Sequence, residues 1–182
     1  MTGGAAPAVG IHPAARVGFD QAAEAYERGR PDYPDRAVGW LVDELGIRPG
    51  ARVLEPDGRL GLVWNVRDEE HCPFWERITE LMAPYRGDAP THRGYVWLRA
   101  FEASDLFTPF RTGSFPYEQE LTRAQVLDRV LSTSFIATLP EGEGRRVAGR
   151  VLELLDSDQR TAGREPVALP YRTDVYSAAR TR

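Results

Sequence analysis

The stretch ARVLEPDGRLGLVWN, residues 51–65, constrains the fold of this chain more than any other. It opens as a short apolar strand, and a nucleotide-binding strand would continue through a glycine-rich turn into a helix. Here Glu55–Gly58 intervene, and a second apolar strand follows at once. Pro56 and Gly58 suit the second and fourth positions of a type I turn. The sequence therefore predicts a simple turn between two strands, at the place where a nucleotide-binding sheet would have its glycine-rich phosphate-binding turn.

Apolar periodicity along the rest of the chain predicts alternating groups of helices and strands. Thr122 and Gln125 form the signature of a capping box, which opens one of the helices. The other predicted helices cover residues of about 17–28, 35–46, 74–85, 95–107 and 141–155. The predicted strands cover residues of about 51–54, 59–65, 111–119 and 168–178. This order of elements predicts an α/β or α+β chain.

Composition excludes several classes of partner. The chain has 182 residues and 42% hydrophobic content, which suits one globular domain with a core. The net charge of −4 gives no reason to expect nucleic acid or an anionic membrane surface. Residues 1–16 lack the features of a signal peptide, and no apolar run approaches the ~20 residues of a membrane span. The single Cys72 fits a reducing compartment, so a cytoplasmic location is expected.

Three blocks of sequence carry a family resemblance. They are FDQAAEAYERGRPDYPDRAVGWLVDELGIRPGARVLE (residues 19–55), PDGRLGLVWNVRDEE (56–70) and LPYRTDVYSAA (169–179). Together they resemble class I S-adenosylmethionine-dependent methyltransferases of the bacterial small-molecule type. The first block is similar to the N-terminal helical cap and first strand of that family. The others are similar to its fifth strand and to a last strand that closes the sheet as an antiparallel hairpin.

The resemblance implies a reduced α/β Rossmann-like methyltransferase fold with an internal deletion, in which the last three predicted strands form a small mixed sheet beside the N-terminal helical cap. The single ARVL segment, residues 51–54, lies in two family contexts at once. The RPG before it matches the start of the first family strand. The EPDGRL after it resembles the approach to the fifth family strand. Four strand–helix units of about 25 residues each are missing between these two contexts. They would carry the glycine-rich turn and the acidic residue for the ribose of S-adenosylmethionine. The family implies that cofactor and a small-molecule substrate, and the deletion implies that this chain does not methylate alone.

The resemblance also implies six substrate-side candidates, with no catalytic, cofactor-binding or metal-binding residue. They are Tyr26, Arg30, Tyr33, Trp64, Asn65 and Asp68. The first three match the cap, and the others match the end of the fifth strand. The alternative interpretation is structural: Tyr26 packs the cap helix, Trp64 lies in the core and Asn65 caps a turn. Methyl transfer depends mainly on positioning the two reactants, so the lack of an acid–base motif does not count against the family.

The predicted organisation has four parts. Residues 1–15 are expected to be disordered, 16–50 to form the helical cap, 51–65 to join the first and fifth family strands, and 66–182 to form the C-terminal part. Three functions stay open: a methyltransferase by descent, a non-catalytic remnant, and a binding module. Because a parallel sheet is normally covered on both faces, loss of four units would expose sheet surface. Homo-oligomerisation through that surface is therefore expected.

Overall fold

A computed structural model of the protein describes residues 22–51, 58–89 and 96–181. The helices are α1 (residues 22–29), α2 (Asp35–Leu45), α3 (Pro73–Arg86), α4 (Val96–Glu102), α5 (Arg123–Leu131), α6 (Ser134–Ala137) and α7 (Glu141–Ser157). The strands are β1 (Arg59–Arg67), β2 (Arg111–Leu121) and β3 (Val167–Ala179). These strands confirm the last three predicted ones. Residues 52–54 of the predicted strand over 51–54 lie outside the described residues, as do the turn residues 55–57.

Local sequence explains where several helices begin and end. The predicted capping box is confirmed, because the Thr122 side chain accepts a hydrogen bond from the Gln125 backbone N–H and the Gln125 side chain accepts one from Thr122 N–H. Helix α2 ends at Gly46, whose φ of 66° is the left-handed conformation that glycine adopts without strain. The predicted helix over 95–107 is shorter, since Phe107 forms an antiparallel bridge instead. None of the helices within the described ranges is long and apolar enough to cross a bilayer.

The three strands form one antiparallel sheet in the order β1–β3–β2. The prediction of a mixed sheet was wrong for these strands. Strands β1 and β2 run in the same direction, but β3 lies between them and runs the opposite way. Each hydrogen-bonded pair of these strands is therefore antiparallel, whereas the mixed sheet implied by the resemblance would contain a parallel pair.

The two faces of the sheet pack against different elements. On the first face, Trp75 of α3 contacts Tyr171 at a ring-centroid distance of 5.4 Å. Helices α5 and α7 complete this core with fully buried side chains of Val126, Val130, Val147, Val151 and Leu155. On the second face, Trp64 and Tyr176 meet Trp97 of α4, with Trp64 and Trp97 centroids 4.6 Å apart. The principal core thus lies between the first face and helices α3, α5 and α7.

Candidate functional site

Asn65 joins the end of β1 to the loop that follows α1. Its Nδ2 donates hydrogen bonds to the carbonyl oxygens of Pro31, at 2.9 Å, and Asp32, at 3.2 Å. Its Oδ1 accepts a hydrogen bond of 2.6 Å from Thr173 Oγ1 on β3. Every polar atom of this side chain therefore bonds to the protein. Asn65 positions the loop on the sheet, which is a structural role close to the alternative interpretation of this residue.

The three candidates from the cap form one cluster next to that loop. Arg30 Nη2 donates a 3.0 Å hydrogen bond to Tyr33 Oη, and this bond raises the pKa of Arg30. The guanidinium carbon of Arg30 also lies 5.3 Å from the ring centroid of Tyr33 and 5.9 Å from that of Tyr26, within cation–π range. The structure thus brings Tyr26, Arg30 and Tyr33 together, and Asn65 holds the loop that carries the last of them.

Trp64 lies on the opposite face of the sheet from Asn65. Successive side chains of a strand point to opposite faces, so these two candidates cannot line one site. Trp64 instead packs on Trp97 and lies 5.4 Å from Tyr176 between ring centroids. A cavity of about 450 Å³ lies beside these aromatic rings, lined in part by Phe101, Phe110 and Tyr176. The structure therefore separates Trp64 from the other strand candidate.

Asp68 lies just past β1 and contacts His71. Its Oδ1 accepts a 3.3 Å hydrogen bond from the His71 backbone N–H and lies 3.0 Å from His71 Nδ1. The hydrogen bond and the negative charge of Asp68 raise the pKa of His71. Cys72 is fully buried, and burial raises the pKa of its thiol. Because His71 faces Asp68, the sequence neighbours His71 and Cys72 are not arranged as a base and a nucleophile.

We expect the Asp68→Asn substitution to return the pKa of His71 toward its ordinary value, as followed by NMR titration of the imidazole protons. Because the pKa of His71 is raised in the folded state, its contact with Asp68 stabilises the fold at low pH. This stabilisation is lost as the pH rises through the folded-state pKa of His71. Glu70→Gln is the matched control, because Glu70 makes only the smallest contribution to the raised pKa. An unchanged titration curve in Asp68→Asn would contradict this assignment.

Metal ligands and tyrosines complete the description of this region. Within the described ranges, no three His, Cys, Asp or Glu side chains are grouped closely enough to hold a metal ion.

Tyr117 Oη donates a 3.0 Å hydrogen bond to the Asp32 carbonyl oxygen, and the Tyr117 ring stacks on Tyr171 with ring centroids 5.9 Å apart. Tyr171 is fully buried, and burial raises the pKa of its hydroxyl. The positive charges of Arg67 and Arg129 lower that pKa, but by less. Sequence reasoning missed four residues of this region: Tyr117, Tyr171, Arg67 and Arg129.

A simple signal could have found part of this group. Residues two apart on a strand share a face, so Arg67 lies on the same face as Asn65, and Tyr171 lies on the same face as Thr173. The register confirms this, since Asn65 pairs with Thr173 and Arg67 with Tyr171. Arg129 comes from a helix, and no local pattern links it to the strands. The candidate site is thus the first face of the sheet at the end of β1, beneath the loop after α1.

The starts of the helices that follow strands do not fit S-adenosylmethionine. That cofactor needs free backbone N–H groups at a glycine-rich turn and a helix start. At the start of α5, the Arg123 backbone N–H donates a 3.1 Å hydrogen bond to the carboxylate of Glu165. The Gln125 backbone N–H donates to the Thr122 hydroxyl in the capping box. Helix α3 begins with Pro73, which has no N–H, and the next N–H groups bond to Cys72. Among the described residues, the helices that follow β1 and β2 thus begin with backbone N–H groups that are already hydrogen-bonded within the protein.

Comparison with known proteins finds relatives that are named as methyltransferases. No family model matches the chain. The chain is 32% identical over 139 residues to an uncharacterized methyltransferase-like protein of Schizosaccharomyces pombe, covering 76% of this chain and 54% of the relative. It is 34% identical over 138 residues to an uncharacterized methyltransferase of Mycobacterium tuberculosis, covering 76% of this chain and 53% of the relative. The chain spans about half the length of the curated relatives it matches. These similarities support a methyltransferase family for this chain.

Proposed function

We propose that the chain derives from S-adenosylmethionine-dependent small-molecule methyltransferases through an internal deletion and neither binds the cofactor nor transfers a methyl group by itself. The observation that carries the proposal is the sheet, in which the last strand β3 pairs antiparallel with β2. A last strand that closes the sheet in this way is what the family resemblance implies. The relatives named as methyltransferases support the same descent.

Two further observations support the loss of cofactor binding. The helix starts after β1 and β2 are filled by the chain's own groups. In addition, the substrate-side candidate Asn65 already bonds through both polar atoms of its side chain to Thr173 and to the loop after α1, which supports a structural role for this residue. A buried lone Cys72 supports a reducing, cytoplasmic location as part of this proposal.

Isothermal titration calorimetry with S-adenosylmethionine tests the proposal. We expect dissociation constants weaker than about 1 mM, equivalent to less than about 4 kcal/mol of binding free energy. Circular dichroism on the same sample must show a cooperative thermal transition, so that absence of binding is not absence of folding. Micromolar binding by folded protein would contradict the proposal.

Homo-oligomerisation is the second candidate function, and the position of β1 favours it. Strand β1 pairs with β3 on one side, and within the described ranges no strand pairs with its other side. Such an edge offers backbone hydrogen-bonding groups to another chain. Sedimentation velocity on the calorimetry sample distinguishes a self-associating module from a monomeric remnant.

A further inference from the structure

The cavity on the second face of the sheet lies between α4, the segment that follows α4 and the start of β2. Its volume of about 450 Å³ is within the usual range for a small-molecule site. Four aromatic rings line it, those of Phe101, Phe107, Phe110 and Tyr176. Because Asn65 and the cap cluster belong to the other face, an inference about this cavity is independent of the proposed function.

The aromatic rings leave apolar surface open to the cavity. The Phe101 ring meets those of Phe107 and Phe110 edge to face, with centroids 5.8 and 5.2 Å away. Phe110 in turn meets the buried Tyr176 at 6.1 Å. The three phenylalanine side chains are only half-buried. A ligand ring that covers them removes apolar surface from water, which is favourable, and extends the edge-to-face arrangement.

The wall formed by residues 104–110 is tied to the end of β3. The Thr108 backbone N–H donates a 2.8 Å hydrogen bond to the Ala179 carbonyl oxygen, and Thr108 Oγ1 accepts one of 3.1 Å from the Ala179 N–H. The Thr181 N–H donates a 2.9 Å hydrogen bond to the Leu106 carbonyl oxygen. These bonds hold the wall in place before a ligand binds, which lowers the entropic cost of binding.

One carboxylate sets the charge of the cavity. Glu102, the exposed last residue of α4, lines it, and its side chain makes no hydrogen bond or ion pair in the described part of the protein. None of the described lining residues is basic. We propose that the cavity binds a small aromatic ammonium ion, with the ring against the phenylalanines and the charge beside Glu102. The carboxylate attracts such a cation and repels an anion of the same shape.

Isothermal titration calorimetry at neutral pH with phenethylammonium, phenylacetate and phenethyl alcohol tests this site, because these probes share one ring and differ in charge. We expect a dissociation constant below about 1 mM for phenethylammonium. Phenylacetate should bind about tenfold more weakly, since Glu102 repels it. Binding of phenylacetate or phenethyl alcohol as tight as that of phenethylammonium would overturn the choice of a cation. Absence of saturable phenethylammonium binding by folded protein would overturn the site itself.

Two variants place the ligand in the cavity. Glu102→Gln should weaken phenethylammonium binding about fivefold, as for an ion pair partly exposed to solvent, and leave phenethyl alcohol unchanged. Glu76→Gln is the matched control, because Glu76 is an exposed glutamate of α3 outside the cavity, and it should bind as the wild type does. Thr112→Phe fills the cavity from an exposed position on β2 and should abolish binding of all three probes. Unchanged phenethylammonium affinity in either Glu102→Gln or Thr112→Phe would overturn the proposal.

Discussion

Replacing Trp75 by alanine is expected to lower the free energy of unfolding by about 4 kcal/mol, since burial of a large aromatic side chain is lost and a cavity remains. Trp75 is fully buried and is the largest side chain in the core. Its ring contacts Tyr171 at 5.4 Å between centroids. Its Nε1 donates a 3.0 Å hydrogen bond to the Pro170 carbonyl oxygen, so the same residue fixes α3 to β3 by packing and by a polar contact.

Urea unfolding followed by circular dichroism measures this loss. Trp75→Phe keeps most of the packing and removes the donor, and we expect it to cost about 1 kcal/mol, because the Pro170 carbonyl also accepts from the Asp68 N–H. Leu152→Ala is the control for side-chain truncation, since Leu152 is 40% exposed on α7 and its loss should change stability by less than about 0.5 kcal/mol. A loss below about 1 kcal/mol for Trp75→Ala would show that this core is not the one that stabilises the fold.

Local patterns were sufficient to place most of the elements. An apolar run after the predicted turn located β1, and two apolar-rich segments bounded by polar loops located β2 and β3. The Thr122–Gln125 capping box located the start of α5, because it depends only on residues three apart. These features are set by contacts between near neighbours, which a sequence contains directly.

Long-range contacts account for what could not be predicted. Asn65 was expected at a substrate side or a turn, but its partners are Thr173 and the backbone of residues 31–32. The mixed sheet was wrong because strand order depends on which distant strands pair, and β3 enters between β1 and β2. The charge of Arg129 acts on the pKa of Tyr171 only because α5 packs against the sheet. None of these relationships has a local sequence signature.

The substitution Gly29→Ala is expected to lower the free energy of unfolding by about 3 kcal/mol, because it forces two helices apart. Gly29 is the last residue of α1, and an added methyl group would lie 2.6 Å from the backbone nitrogen of Arg129 and 3.1 Å from the Gln125 carbonyl oxygen. Backbone atoms cannot move aside as a flexible side chain would. The shift would also loosen the 2.8 Å ion pair of Arg28 with Asp128, which joins α1 to α5.

Gly39→Ala is the matched control for Gly29→Ala, because it makes the same chemical change in open space. Gly39 lies in the middle of α2, and an added methyl group there would meet no atom within 4 Å. Alanine is a better helix former than glycine, so this variant should gain about 0.5–1 kcal/mol. Chemical denaturation of both variants should therefore give changes of opposite sign. If Gly29→Ala were as stable as the wild type, α1 would not be seated against α5 as described, and the loop held by Asn65 would lose its support from that helix.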